Sequence, residues 1–157
     1  MCFDKRMVSF LPMIFMMCLI FLFSNQSSTD SAGLSYRFSS IIVRSADEIQ
    51  GANWDEAQVE EVIGSIHQTV RKIAHVVEYF LLTLTVLFPF CVCGLKKYFP
   101  MSVAVICVLY AALDECHQIF IAGRGPSVRD VGIDCIGIVI GLALYYVVRT
   151  VRRVRRA

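Results

Sequence analysis

Long apolar runs alternate with short polar breaks along most of this chain, and the runs set its architecture. Four of them, at about 8–23, 73–93, 101–122 and 131–148, are apolar enough to cross a bilayer. A helix rises 1.5 Å per residue, so roughly 20 residues traverse the hydrocarbon. The pattern predicts an all-α polytopic membrane protein, a four-transmembrane-helix bundle. The first run is short. Its basic start, Lys5 and Arg6, is that of a signal peptide, but Phe23-Ser24-Asn25-Gln26 offers no A-x-A-like cleavage site, which favours a retained anchor.

The segment 24–72 follows a different pattern. Its opening, 24–33, is Ser-rich and reads as loop, and 36–49 reads as a short interfacial helix of weaker periodicity. Val59, Val62, Ile63, Ile66, Val70 and Ile73 then recur at three- and four-residue steps, which is one apolar face of a helix. Asn53 followed by Glu56 supplies its start signal. This amphipathic helical segment can run unbroken into the second span. The chain carries no internal repeat and no low-complexity tract.

Composition agrees with the pattern: of 157 residues, 57% are hydrophobic and 18% charged, against about 25% charged in soluble domains. The length holds one small membrane domain, 1–157, and little else. Seven cysteines, Cys2, Cys18, Cys91, Cys93, Cys107, Cys116 and Cys135, all lie in or beside apolar runs, so they read as small core hydrophobes and not as a disulfide framework.

The net charge of +2 hides an asymmetry. With the N-terminus in the cytoplasm, the inner segments hold Lys5, Arg6, Lys96, Lys97, Arg149, Arg152, Arg153, Arg155 and Arg156, with Asp4 the one acid. That is the positive-inside pattern, and it places both termini in the cytoplasm and 24–72 outside. The basic tail 149–157 reads as an anchor in an anionic leaflet, and no nucleic-acid partner is expected, since no stacking motif accompanies it.

Ionisable residues inside the apolar runs are the candidate chemistry. A charged side chain at membrane depth costs several kcal/mol by the lower estimates and needs a partner, a wet cavity or a function. His75 and Glu78 stand near the start of the second span, Asp114, Glu115, His117 and Gln118 near the end of the third, and Asp130 and Asp134 near the start of the fourth. In the predicted topology all fall in the outer half of the membrane, which points to one outward-facing pocket. Within each group a three- or four-residue spacing puts side chains on one face. From Asp134, Gly137 and Gly141 continue the same stripe and make a small-xxx-small surface, so the acidic face of the fourth span should meet the bundle. The turn Gly123-Arg124-Gly125-Pro126 is followed by Ser127 and Asp130, a capping box, and a helix N-terminus beside Arg124 and Arg129 is suited to phosphate or carboxylate. Each pair also has a plain reading as a buried ion pair fixing helix register, with Asp130 as a cap and the arginines as neutralising charge.

Lys72-x-x-His75-x-x-Glu78-Tyr79, Asp114-Glu115-x-His117-Gln118, and Gly123-Arg124, Ser127, Asp130-Val131, Asp134 and Gly137 resemble the VanZ-like family over about 71–142. The resemblance implies a four-helix integral protein of the bacterial cell membrane and envelope. Its founding member is associated with low-level resistance to the glycopeptide teicoplanin, so glycopeptide tolerance is an implied phenotype; no biochemical activity is implied.

Two functions from different classes follow. In one, the protein binds a lipid-linked or peptidoglycan-related anion, with Arg124, Arg129 and the Ser127 helix end gripping it and the acids orienting the basic groups; the candidate ligand-binding residues are Lys72, His75, Glu78, Tyr79, Asp114, Glu115, His117, Gln118, Arg124, Ser127, Arg129, Asp130 and Asp134. In the other it is a membrane enzyme, with His75 or His117 as general acid or base and Glu78, Asp114, Glu115 or Asp134 orienting it or holding a divalent metal. No HExxH-type spacing is present, so no metal ligand set is assigned. A transporter is disfavoured by four spans without an inverted repeat. The sequence names no cofactor and leaves the oligomeric state open.

Overall fold

The apolar runs become the helices their pattern predicts. The computed structural model describes residues 5–94 and 99–155. A short turn, α1 (Lys5–Val8), leads into α2 (Leu11–Ser24); α3 (Ser28–Gln50), α4 (Glu56–Cys93), α5 (Phe99–His117) and α6 (Val128–Val154) follow, with a 3₁₀ turn at Gln118–Phe120. No strand occurs among the described residues. Four helices are long and apolar enough to cross a membrane: Lys5–Ser24, Glu56–Cys93, Phe99–Phe120 and Val128–Val154. The protein is a multi-pass, all-α membrane bundle. Cys2, Asp4, Lys96, Lys97 and Arg156, which enter the charge and cysteine readings, lie outside the described residues. The cysteines from Cys18 to Cys135 are free thiols, with Cys107 buried.

The core gathers Met16 and Ile20 of α2, Tyr79, Leu82 and Val86 of α4, and Val103, Cys107 and Ala111 of α5, with Ile138 of α6. Small residues set the closest approach. Ideal Cβ atoms built at Gly137 and Gly141 would lie 2.2 Å from the Val76 carbonyl oxygen and 2.8 Å from Thr83 Cβ, so α6 lies against α4 on the stripe that the sequence marks. Asp134, Gly137, Ile138 and Gly141 are the buried residues of α6. The Tyr110 hydroxyl donates to the Met17 carbonyl at 2.5 Å and ties α5 to α2.

The segment between the first two spans is more ordered than its composition predicts. The expected loop at 24–33 is already helical from Ser28, and the short helix expected at 36–49 is the 23-residue α3. Ser27 caps it, accepting from the Asp30 backbone N–H at 3.2 Å. Two further serines explain how so polar a segment packs. Ser35 and Ser39 are buried, and their hydroxyls donate to carbonyls one turn back, leaving a small face with its polar atoms satisfied. That face lies on α4. Val43, Val59 and Ile63 form a second small core, Arg44 makes a two-pronged ion pair with Glu56 at 3.0 and 2.8 Å, and Tyr36 donates to Glu60.

As predicted, α4 is one unbroken helix of 38 residues, about 57 Å long at 1.5 Å per residue, nearly twice the ~30 Å hydrocarbon. Its charged first half therefore projects beyond the bilayer with α3 running antiparallel beside it. The start signal differs from the predicted Asn53 and Glu56. Asp55 is the cap: its side chain accepts from the Gln58 N–H at 2.8 Å, and Gln58 accepts from the Asp55 N–H at 3.1 Å. Asn53 instead adopts φ +54° and donates to the Gly51 carbonyl, inside the turn. Asp55→Ala should weaken the hairpin by about 1 kcal/mol, seen as faster amide exchange over the first turn of α4 with the spans unaffected.

Candidate functional site

Four helices and a loop bring most of the singled-out residues to one end of the bundle. The chain passes this end at the close of α2, in the middle of α4, at the close of α5 and at the start of α6. Two adjoining cavities open there. One, of about 400 Å³, is mainly apolar, with Arg71, His75, Glu78, Asp114 and Arg124 as its ionisable lining and Ser24, Gln26, Ser31 and Ser35 beside them. The other, of about 220 Å³, is mainly polar and is lined by Ser28, Arg71, Lys72, His75, Gln118, Arg124 and Asp130 among others. Arg71, His75 and Arg124 belong to both.

The cationic side is unusual in what it lacks. Among the described residues neither Arg71 nor Arg124 makes an ion pair or a side-chain hydrogen bond. Burial first, and then the like charge of Arg71, hold the Arg124 guanidinium below its ordinary pKa, while Asp114, Glu115 and Asp130 pull it upward from a distance. Two guanidiniums near each other without a carboxylate in contact leave forked N–H donors of the kind that match carboxylate or phosphate oxygens.

The acidic side is buried deeper. Asp134, 1% exposed, sits behind His75, with its Oδ1 3.4 Å from His75 Nδ1, a charge contact that is not aligned as a hydrogen bond. Both Asp134 carboxylate oxygens, Asp114 Oδ1, His75 Nδ1 and the Tyr79 hydroxyl are buried without a hydrogen-bond partner. Such groups normally find partners, so these atoms are what make this end of the bundle the candidate site. No group of three or more His, Cys, Asp or Glu among the described residues is arranged to hold a metal ion.

The loop after α5 fixes the relation between the two sides. Gly123 adopts φ +72°, and a Cβ there would meet Ser28 Cβ at 3.1 Å, so glycine serves both the turn and the close passage of α3. The Ser28 N–H donates to the Ala122 carbonyl at 3.2 Å. Ser127 caps α6, accepting from the Asp130 N–H at 3.2 Å. The reciprocal half of the predicted capping box is replaced: the Ser127 N–H donates to Glu115 Oε2 at 2.8 Å. Glu115 thus positions the loop that carries Arg124.

The predicted residues therefore divide. Lys72, His75, Glu78, Asp114, Gln118, Arg124 and Asp130 line the cavities, with Asp134 and Tyr79 packed behind and Glu115 and Ser127 holding the loop. His117 turns away toward α2, its ring centroid 4.8 Å from that of Phe21, and makes no ion pair with Asp114. Arg129 is exposed on the first turn of α6 and lines neither cavity. Arg71, Ser24, Ser28, Ser31 and Ser35 line the cavities without having been singled out. Arg71 carried a signal, one turn before His75 on the same helix.

A family model described as VanZ/LLP1 matches residues 9–149. No curated protein and no solved structure matches the chain.

Proposed function

Since this chain belongs to the VanZ/LLP1 family, we propose that it is a cell-envelope membrane protein that binds a lipid-linked or peptidoglycan-related anion and contributes to glycopeptide tolerance of the teicoplanin type. The observation that carries this reading is the pair Arg71 and Arg124, unpaired among the described residues and shared by a polar and an apolar cavity. Lys72 adds a third positive charge, and Gln118 and Ser28 add hydrogen-bonding groups. Glu115 and Ser127 act through the loop and not on the ligand. Titrating the purified protein in nanodiscs with a phosphate-headgroup lipid, followed by thermal stabilisation, tests it: saturable stabilisation supports the reading, and its absence with phosphate and carboxylate lipids alike removes it.

In this reading the site faces outward, because Lys5, Arg6, Arg149, Arg152, Arg153 and Arg155 gather at the other end of the spans. Single cysteines introduced into a cysteine-free protein give a direct check. Position 30 should react with a membrane-impermeant thiol reagent on intact cells and position 155 should not; the reverse pattern would place the site inside.

A second reading has one observation in its favour. Asp134 touches His75, and His75 lines both cavities. Here His75 is a general acid or base acting on an envelope lipid, with Asp134 orienting its ring. Turnover of bound lipid that His75→Gln abolishes while binding persists would establish it; binding without turnover by the unaltered protein would remove it.

A further inference from the structure

The larger cavity is lined by charges of both signs, and the fold holds them apart. Arg71 and Glu78 both belong to α4, and their seven-residue spacing returns the two side chains to nearly the same face, about 10.5 Å apart along the axis. Helix α5 runs back along α4, since the Phe99 ring packs on Phe90 and Thr83 meets the Cys107 sulfur at 3.7 Å. Seven residues beyond Cys107, Asp114 therefore reaches the level of Val76, close to Glu78. Arg124 arrives from the loop after α5 near Arg71, and it attracts Glu78 and Asp114 through space without touching either. The lining thus has a cationic pole at Arg71 and Arg124 and an acidic pole at Glu78 and Asp114, with His75 between them on α4. Among the described residues no side chain of one pole makes an ion pair with the other. Asp114 is only 6% exposed, and its Oδ1 has no hydrogen-bond partner.

A simple anion satisfies half of this arrangement. Its attraction to the two guanidiniums is offset by two carboxylates in the same mainly apolar space, where charges are weakly screened. A simple cation meets the reverse problem. A molecule carrying both charges meets neither, and makes a charge-assisted contact at each pole. We propose that this cavity binds a zwitterion, with its phosphate at Arg71 and Arg124 and a primary ammonium at Glu78 and Asp114. This rests on the anion reading of the two arginines and adds the opposite charge that the ligand carries. Phosphate is selected because Lys72, in the adjoining polar cavity, brings the cationic pole to three positive charges. The primary ammonium is selected by the acceptors: it offers three N–H donors to carboxylate oxygens, and a quaternary ammonium offers none. Such a group occurs free and as a lipid headgroup. The apolar part of the same lining, with Leu34, Phe38, Ile42 and Ile73, suits the hydrocarbon of the second, and the volume of about 400 Å³ lies in the range of small-molecule sites.

The test uses the full-length protein in a non-ionic maltoside detergent. Affinities are read from saturable thermal stabilisation by dihexanoyl phosphatidylethanolamine, dihexanoyl phosphatidylglycerol, dihexanoyl phosphatidylcholine and soluble glycerophosphoethanolamine. The ethanolamine lipid should bind roughly tenfold or more tighter than the glycerol and choline lipids, the effect of one added charge-assisted contact. Glu78→Gln, at a half-buried position, should erase most of that preference while the glycerol lipid binds at least as well as before, and Asp114→Asn should do the same. Arg71→Gln with Arg124→Gln should weaken all three lipids. Equal binding of the ethanolamine and glycerol lipids, lost in the arginine double variant, would overturn the zwitterion and leave the anion reading standing. No stabilisation by any of the compounds would remove both. A choline lipid as tight as the ethanolamine lipid, or a preference that survives both Glu78→Gln and Asp114→Asn, would overturn the placement of the ammonium. Within the proposal, glycerophosphoethanolamine matching the ethanolamine lipid supports a soluble ligand, and much weaker binding supports a lipid headgroup.

Discussion

Gly137→Leu should strongly destabilise the folded bundle. An ideal Cβ at Gly137 would lie 2.2 Å from the Val76 carbonyl oxygen, 2.9 Å from the Phe80 nitrogen and 3.1 Å from the Val76 carbonyl carbon. These are backbone atoms of a helix and cannot turn aside as a side-chain tip can, so α4 and α6 must separate. Overpacking of a well-filled core costs about 1–3 kcal/mol, occasionally more, and a backbone clash at the most extensive helix contact belongs at the upper end of that range. Against a total of about 5–15 kcal/mol that is a large share of the stability, read as a melting temperature several degrees below wild type. Separation would also break the Asp134–His75 contact, since both residues lie within a turn of the crossing. Gly132 supplies the control. A Cβ there meets nothing within 4 Å, so Gly132→Ala should leave stability unchanged or raise it by about 0.5–1 kcal/mol. Thermal unfolding of the purified variants, with monodispersity by size exclusion, reads both. A wild-type melting curve for Gly137→Leu would show that α4 and α6 do not meet there.

Replacing both arginines by glutamine should have the opposite profile, with binding lost and the fold intact. Neither guanidinium touches a carboxylate among the described residues, so Arg71→Gln and Arg124→Gln break no contact ion pair and relieve one like-charge repulsion, at the cost of the longer-range attraction between Arg124 and Asp114, Glu115 and Asp130. Stability should stay within about 0.5 kcal/mol of wild type, as for substitutions that break no buried network. Hydrogen bonds to a charged group contribute about 1.5–3 kcal/mol each, so each replacement should weaken phosphate-lipid affinity roughly ten- to a hundredfold. Structural ion pairs behave differently: removing one member typically costs about 3–5 kcal/mol because the other charge stays buried alone. Asp134→Ala, beside His75, is the substitution expected to follow that second pattern. Parallel melting and binding curves separate the two classes. Loss of binding only in step with loss of folded protein would return the arginines to a structural role.

What the sequence made legible follows from where its signals are strong. Asp134, Gly137 and Gly141 could be placed facing the bundle because a carboxylate in an apolar run must be covered, and two glycines four apart continue its stripe. The unbroken α4 was likewise visible in the three- and four-residue recurrence from Val59 to Ile73. By contrast the start of α3 within 24–33 is not legible, because its helix rests on Ser35 and Ser39 packing against α4, a tertiary effect that serine-rich composition hides. Helical spacing alone puts His117 on the Asp114 face, but a 3₁₀ turn begins at Gln118, and spacing does not fix how a helix end is rotated toward its neighbours. Arg71 does not stand out in the sequence because basic residues at the edge of a span are ordinary. Its importance comes from lying near Arg124, more than fifty residues away in the sequence. The family match also reaches 9–149, taking in most of the first span and all of the α3–α4 hairpin, where the sequence carries no recognisable motif.

Native mass spectrometry of the protein extracted from its own membrane tests the central claim most directly. The claim is that Arg71 and Arg124 hold the anionic head of a lipid. The account predicts a lipid adduct of phosphate or carboxylate class at one per chain on the wild-type protein, absent from the Arg71→Gln, Arg124→Gln double variant although that variant is equally folded. A wild-type protein free of any such adduct, or a double variant that retains it in full, would contradict the account.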